Sequence, residues 1–516
     1  MSIIPFAPFG RPVARTRAQA LALDDSARLQ RYRDYLAFYE GQHYLTPRRG
    51  RSSLVANYAR TIVDKGVSFL IGRGVGFAVE APSPPAPSQR ERARPPLPLP
   101  LGEGQGEGNA AAAEALLYAV YDDNDLDVVD LACATNAGVL GDGVYKVFWE
   151  PAPTHPPSPP WEPGGGGRIR VVSVDPLGFF ARWRADDLAT LQRVDLAYCI
   201  ARDDADALYA SPPSLVGRGA GGVGPSFSPL PSQGRGVGGV RSAGGPEVEV
   251  VETWTDAAFR LEVDGRVVRE GPNPYGVIPF VHVPNLPGPN EFWGRSDLAD
   301  VIPLNRELNE RLSDQADVIR YHADPPVVFR GVEDHDAITV GPGSVWDLPR
   351  DADVKLLEWQ GQSVAVQDHI NQILRALYET AETPRTAFGD SGRLLSGVAL
   401  ETELRPLIQK TLRKRIVWSA ALRRRARLIW QVAESMGLAA PGTFAGLRPR
   451  IVWPSMMPQD DTQEVRNNVA LVAAGLRSRQ TAMDALGTES PEAELARLQA
   501  ERQLFGAHPA APTDAP

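Results

Sequence analysis

The 516-residue chain is 43% apolar and 8% aromatic, enough for substantial cores in more than one domain. Its net charge of −9 argues against a protein that coats nucleic acid through general positive charge, and leaves that role only to local patches. Two cysteines, Cys133 and Cys199, exclude a disulfide framework and make no CxxC zinc spacing, which points to a reducing compartment. No signal-peptide core stands at the N-terminus and no 18-residue apolar run occurs, so a soluble intracellular product without a membrane partner is expected.

In chain order, residues 1–24 read as a flexible N-terminus, interrupted by Pro5, Pro8, Gly10 and Pro12. An aromatic-rich helix is predicted over 25–43, then a basic loop over 48–51 and a second helix over 54–70 with Tyr58, Ile62 and Val63 on its buried side. The glycines at 72, 74 and 76 resemble a phosphate-cradling loop only superficially. No strand precedes them and no Lys-Ser/Thr follows, so they read as a helix stop before a strand. Residues 81–108 hold eight prolines and four glycines, and 211–246 hold six prolines and eleven glycines. With the similar tract 151–167, they are expected to be disordered inserts, because such compositions bury too little apolar surface to offset chain entropy.

With the inserts set aside, 109–292 reads as one α+β unit: helices over 110–121 and 126–140, then strands over 143–149, 168–174, 194–201, 247–255, 259–263 and 277–283. Asp122, Asp123, Asp125 and Asp127 suggest a calcium loop, but Val128 and Ala134 stand where an EF-hand needs glycine and glutamate. Carboxylates suited to a helix N-terminus are the better reading.

The stretch 293–436 organises the chain. Leu298, Val301, Ile302, Leu304, Leu308, Leu312, Ala316 and Ile319 recur at helical steps over 296–322, with Pro303 expected to open the straight part. A second helix is predicted over 362–382. Between them, 327–329, 337–340 and 354–357 are strand-like runs forming a small β module. Residues 383–396 read as a loop. From Gly397 helical spacing lasts to about residue 435, roughly 60 Å of helix, expected to kink near Pro406. A strand at 448–453 and helices at 461–475, 478–486 and 491–505 follow, with a frayed tail.

Enzyme signatures are absent: no Walker A, HExxH or GxSxG motif occurs, and the seven histidines are scattered, so no catalytic residue, metal site or cofactor is expected. Glu333, Asp334 and Asp336 read as a solvated turn of the β module. The informative features are electrostatic. Nine basic residues and no acidic one lie between 405 and 427, among them Arg413, Lys414, Arg415, Arg423, Arg424 and Arg425. That stripe suits phosphates, acidic neighbours in an assembly, or plain solvent. By contrast Asp297, Asp300, Glu307, Glu310, Asp314 and Asp317 make the first limb acidic.

The sequences Asn57-Tyr58-Ala59-Arg60-Thr61-Ile62-Val63-Asp64-Lys65, Gly294-Arg295-Ser296-Asp297-Leu298 and Ser396-Gly397-Val398-Ala399-Leu400, with Ala474-Gly475-Leu476-Arg477-Ser478-Arg479-Gln480-Thr481-Ala482 near the end, occur in an order that resembles the tailed-phage portal proteins of the SPP1-like type. Each motif is mainly helix grammar, and the specificity lies in their order. The resemblance implies a homo-oligomeric ring, of twelve subunits in the virion, at one capsid vertex. Double-stranded DNA is packaged and ejected through it, with the terminase large subunit, a head-completion or adaptor protein, and major capsid and scaffolding proteins as partners. It implies an α+β subunit with a wing at 25–292, a stem of helices at 293–322 and 361–382, a clip at 323–360, and a tunnel loop at 383–396. The long kinked helix is then 397–438, the wing strand 439–454, the crown 455–505 and the tail 506–516. On that assignment Arg385, Phe388, Asp390, Ser391 and Arg393 face the DNA, and Glu333, Asp334 and Asp336 face the terminase. A DNA-binding adaptor using the basic helix, and an unrecognised hydrolase or nuclease, are the alternatives.

Overall fold

A computed structural model describes residues 16–44, 52–81, 103–151, 166–202, 205, 247–323, 327–330, 353–356, 363–389, 397–456, 461–486 and 494–499. The chain divides into two compact units at Pro454.

In the first unit, α1 (Arg17–Asp24) begins at the Thr16 cap and buries Ala18. The last third of the stretch expected to be flexible is therefore a packed helix. Its anchor is Arg17, which pairs with Asp195 at 2.6 Å and Glu262 at 2.9 Å, two buried carboxylates far along the chain, so local sequence carried no sign of it. Helices α2 (Ser26–Tyr39) and α3 (Tyr58–Ile71) follow. The Asn57 side chain caps α3 by accepting from Arg60 N, and Ile62, Val63, Gly66, Val67, Leu70 and Ile71 recur at helical steps on its buried side. The chain then enters β1 (Gly76–Glu80).

Helix α4 (Glu103–Asp123) starts seven residues before the expected boundary, so the end of the first proline-rich tract is helical. Apart from Ala81, Pro151, Gly166 and Gly167, the rest of the three tracts lies outside the described residues. Helix α5 (Leu126–Leu140) leads into β2 (Asp142–Pro151), the centre of a three-stranded antiparallel sheet between β3 (Gly167–Ser173) and β9 (Phe280–Pro284). A five-stranded meander runs β4 (Phe179–Arg184), β5 (Asp187–Ala201), β6 (Glu247–Trp254), β7 (Ala258–Val263), β8 (Arg266–Pro272). Strands β4 and β8 and the first half of β5 were not foreseen. Residues 187–193 and most of β8 are solvated ribbon without the alternation that marks a half-buried strand. The β7–β8 turn did carry its signal: Asp264 and Gly265 have φ of 49° and 75°, the Asp-Gly hairpin geometry.

Two long helices, α6 (Val301–Ala323) and α7 (Ser363–Ala381), pack along one another through Leu308, Ile370 and Ile373, a small core separate from the main one. Their far ends join β10 (Val327–Arg330) and β11 (Asp353–Leu356), an antiparallel pair. The run expected as a strand at 337–340 lies outside the described residues. After α7 a 3-10 turn covers Arg385–Phe388, and α8 (Gly397–Ser435) is continuous through Pro406. Its Trp418, Ala421, Leu422 and Ile429 enter the main core, with Trp418 edge-on to Tyr145 at 6.3 Å. Strand β12 (Arg448–Val452) then returns to pair with β1, its partners lying from 368 residues (Glu80–Arg448) to 376 residues (Gly76–Val452) apart in sequence.

The second unit contains α9 (Asp461–Ala473) and α10 (Arg479–Ala485), with further helix over 494–499. Ser478 Oγ accepts from Thr481 N at 3.1 Å to cap α10.

The crossing of α3 and α5 is set by glycine. A Cβ on Gly138 would lie 2.9 Å from Val63 Cγ1, whereas one on Gly66 would meet nothing closer than 4.0 Å. Gly138→Ala is expected to cost about 1–3 kcal/mol through overpacking, and Gly66→Ala to be neutral or stabilising through helix propensity. Urea midpoints of the two variants check this; equal effects would contradict the packing.

Candidate functional site

Four residues at four-residue steps along α6, Asn305, Asn309, Ser313 and Asp317, are all buried polar side chains. Each receives a backbone N–H from the segment that enters α3. Ser52 N donates to Asp317 Oδ1, Leu54 N to Ser313 Oγ, Ala56 N to Asn309 Oδ1 and Ala59 N to Asn305 Oδ1, all at 2.9 Å. Two residues of extended chain rise about 6.6 Å and four residues of helix about 6.0 Å, so the alternate N–H groups of Ser52, Leu54 and Ala56 stay in step with one helix face, and Ala59 N, in the first turn of α3, follows three residues on. Asn305 Nδ2 returns a bond to Ala56 O at 2.8 Å. The extended segment is thereby strapped to α6 without a β-sheet. Sequence reasoning named Asp317 only as part of an acidic face and passed over Asn305, Asn309 and Ser313 as acceptors, although small polar side chains at i, i+4, i+8 and i+12 were visible as a second stripe beside the apolar one.

His43 supports the middle of the strap. The Ala56 amide fixes the orientation of Asn309, whose Nδ2 then donates to His43 Nδ1 at 2.6 Å, while His43 Nε2 bonds Phe38 O at 3.0 Å. His43 is therefore neutral with its proton on Nε2. Burial pushes its pKa down, helped by the nearby Arg306 charge and opposed by the bonds to Phe38 and Asn57. A lowered folded pKa means that the unfolded chain binds the proton first, so stability is present above the ordinary value of 6.5 and falls as pH drops below it. Urea midpoints are expected to decrease from pH 7.5 to 5.5, and less steeply in His43→Gln; an unchanged slope in the variant would contradict the assignment.

The near ends of α6 and α7 are pinned to the same two turns of α8. Asp297, in the turn before α6, is buried with Lys414 Nζ at 2.5 Å and Lys410 Nζ at 3.0 Å, and its own N–H donates to Gly138 O. Lys410 Nζ also donates to Ala381 O at the end of α7, and Arg413 pairs with Glu382 at 2.5 Å. Burial by itself raises the Asp297 carboxyl; the Lys414 and Lys410 charges overcome it and hold the group well below the usual carboxylate range. Burial lowers Lys414 in turn, against the pull of Asp297 and with the push of Lys410. A second buried pair lies further along α8, where Arg425 meets Asp130, whose oxygens also accept from Tyr145 OH at 2.8 Å and Tyr121 OH at 2.7 Å. Cys133 beside it is an inert core thiol, its pKa pushed up to about 12 by burial.

The expected basic stripe is therefore divided. Lys410, Lys414 and Arg425 are buried and neutralised inside the protein, a correction to reading the run as one charged surface. Helical spacing alone does not separate a cation that faces water from one that faces a buried carboxylate. Arg415 stacks over Trp453 at 4.8 Å and donates to Pro454 O. Arg413 is exposed, Arg423 and Arg424 are half-buried, and Arg424 lines a cavity of 540 Å³ with Arg427, Gln431, Thr190, Asp256 and His282. Asp297 and Asp300 leave the acidic face of the first limb, since α6 starts at Val301, and Asp317 is a buried acceptor of the strap. Of the residues assigned to the tunnel loop, Arg385 is exposed and Phe388 packs on Tyr378 at 5.4 Å; Asp390, Ser391 and Arg393 lie outside the described residues. So do Glu333, Asp334 and Asp336.

His282 does gain a partner, Asp142 at 2.7 Å, which also accepts from Tyr32 OH and from Gly294 N. Every oxygen of Asp142 is used to tie α2, β2 and β9 together, and stacked Phe179 and Phe292 cover the imidazole, so the trio is a buried clamp. Among the described residues no group of three or more His, Cys, Asp or Glu is placed to hold a metal ion, and no helix is long and apolar enough to cross a membrane.

The family model described as phage portal protein, SPP1 Gp6-like, matches residues 244–504, just over half of the chain. The chain belongs to that family. No curated protein sequence matches it. The match covers α6, β10, β11, α7 and α8, and with them the anchor of α6 and α7 on α8. As an SPP1-like portal protein it is a bacteriophage capsid component of DNA packaging, of a structural family whose members are ring oligomers at the capsid vertex with capsid and terminase partners.

Asp297→Asn in this portal chain strands two buried ammoniums, and is expected to destabilise it by about 3–5 kcal/mol. Lys414→Met should cost less, because Lys410 still meets the carboxylate. Chemical denaturation of both variants tests the ranking; the reverse order would contradict it.

Proposed function

We propose that this chain forms a ring, of twelve subunits in the virion, through which double-stranded DNA is packaged and ejected, with no catalysis of its own. One observation supports this above the others: within the region matched by the portal family, two helices leave a common anchor on α8, reach a β module together and return. In the proposal residues 293–322 and 361–382, with α6 and α7, are the stem, residues 323–360, with β10 and β11, are the clip that meets the terminase and then head-completion proteins, residues 25–292 with β12 are the wing, and 455–505 the crown.

The mechanism follows from symmetry. A ring presents residues 383–396 of every subunit to one axis, and DNA sliding through it needs weak, repeated contacts rather than a tight site. Arg385 and Arg393 supply attraction to phosphate, and Asp390 limits it. Glu333, Asp334 and Asp336 supply an acidic clip surface. The acidic residues of α6 repel a polyanion evenly and keep it central.

Negative-stain images of the purified protein are expected to show rings with a central channel. Protein that stays monomeric at every concentration would overturn the proposal. The second reading, an adaptor binding DNA through the basic helix, predicts a steep salt-dependent affinity lost in Arg423→Ala/Arg427→Ala. Burial of three of the nine cations disfavours it, and retained affinity in that variant would exclude it.

A further inference from the structure

One arginine of α8 is half-buried without a counter-charge. Arg424 makes no ion pair or side-chain hydrogen bond among the described residues, and it lines the 540 Å³ cavity between α8, β5 and β9. Burial lowers its pKa, against the pull of Asp187 and with the push of Arg427 and Arg423. Asp187 does not close on it, because that carboxylate accepts from Ala189 N at 3.0 Å and from Thr190 Oγ1. A guanidinium partly removed from water with no partner is unfavourable, and an anion brought to it relieves the penalty.

The other walls narrow the kind of anion. Leu188, Leu191, Val277, Ile278, Phe280 and Leu428 make them largely apolar, and Asp256 and Glu291 stand away from α8, on the β6–β7 turn and beyond β9. Such a cavity suits one or two carboxylates on an apolar body and repels a polyanion such as a nucleic-acid strand. One wall also offers main chain. Leu188, Ala189 and Thr190 have no partner in β4, which pairs with β5 at Asp187 and again from Leu191, and β6 begins its pairing with β5 only at Val194. Residues 188–190 therefore stand outside both ladders, and main chain that no strand takes up favours a ligand with a main chain of its own.

We propose that this cavity binds an acidic peptide segment of a partner protein, with a carboxylate on Arg424 and Arg427, apolar side chains against Leu188, Leu191 and Phe280, and its main chain along residues 188–190. The proposal is independent of the ring reading, because every wall of the cavity belongs to one chain.

The test uses the full-length protein and a fluorescent, end-blocked peptide that alternates glutamate with valine, followed by anisotropy. Saturable binding of this peptide is expected, with none of its lysine–valine counterpart. Laurate, which has the carboxylate and the apolar body but no main chain, is expected not to compete. Arg424→Glu/Arg427→Glu is expected to weaken the glutamate peptide at least about tenfold and to bind the lysine peptide instead, a gain that misfolded protein could not show. Ala189→Trp, which fills the cavity and leaves its charge unchanged, is expected to weaken the glutamate peptide as well. No binding to the wild type, unchanged affinity in either variant, no gain of the lysine peptide, or displacement by laurate would overturn the proposal. Loss of self-association in the charge-swapped variant, with no peptide binding to the wild type, would overturn it in favour of a second copy of the chain as occupant.

Discussion

The buried carboxylate of Asp297 is the constraint on which the rest of the structure depends. It lies where the turn before α6, the glycine crossing of α3 and α5, and the inner side of α8 meet. Two ammoniums need it, and one of them also holds the end of α7. Removing charged groups from water is costly, and only close mutual contact offsets that cost. The arrangement therefore tolerates little displacement of any of these elements, and α6 and α7 share an origin on one helix, α8.

The strap on α6 works by a different principle. Backbone N–H groups of an extended segment normally need a neighbouring strand, and here a helix supplies acceptors at a matching repeat. The result fixes the first limb along more than three turns by groups with defined direction, where apolar packing alone would let the helix slide. A limb held in this way, and joined to its neighbour by only the small Leu308, Ile370 and Ile373 core, keeps its inclination while its far end carries the β module.

Charge on α8 serves both purposes at once. Its inward cations meet Asp297 and Asp130 inside the subunit, and its outward arginines meet solvent. One helix thus belongs to the core on one side and offers a charged surface on the other, and a run of nine like charges becomes compatible with a net acidic chain.

The two long limbs, the strand pairs around them, α5 and the long helix through Pro406 were legible in the sequence, because apolar residues at steps of three and four, or alternating, follow directly from burial of one face. The order of the portal motifs was legible too, and with it the family. The packed helix at Arg17–Asp24 was not, since its reason is an ion pair to Asp195 and Glu262, nor were the exposed strands β4 and β8, whose pattern is polar. In the site, the sequence named the cations of α8 but not which face inward, and passed over Asn305, Asn309 and Ser313. Local periodicity thus determined the elements and their order. The tertiary structure alone decided which charges are buried and which side chains strap α6, because both depend on partners about a hundred residues or more away, and no local pattern encodes the identity of a distant neighbour.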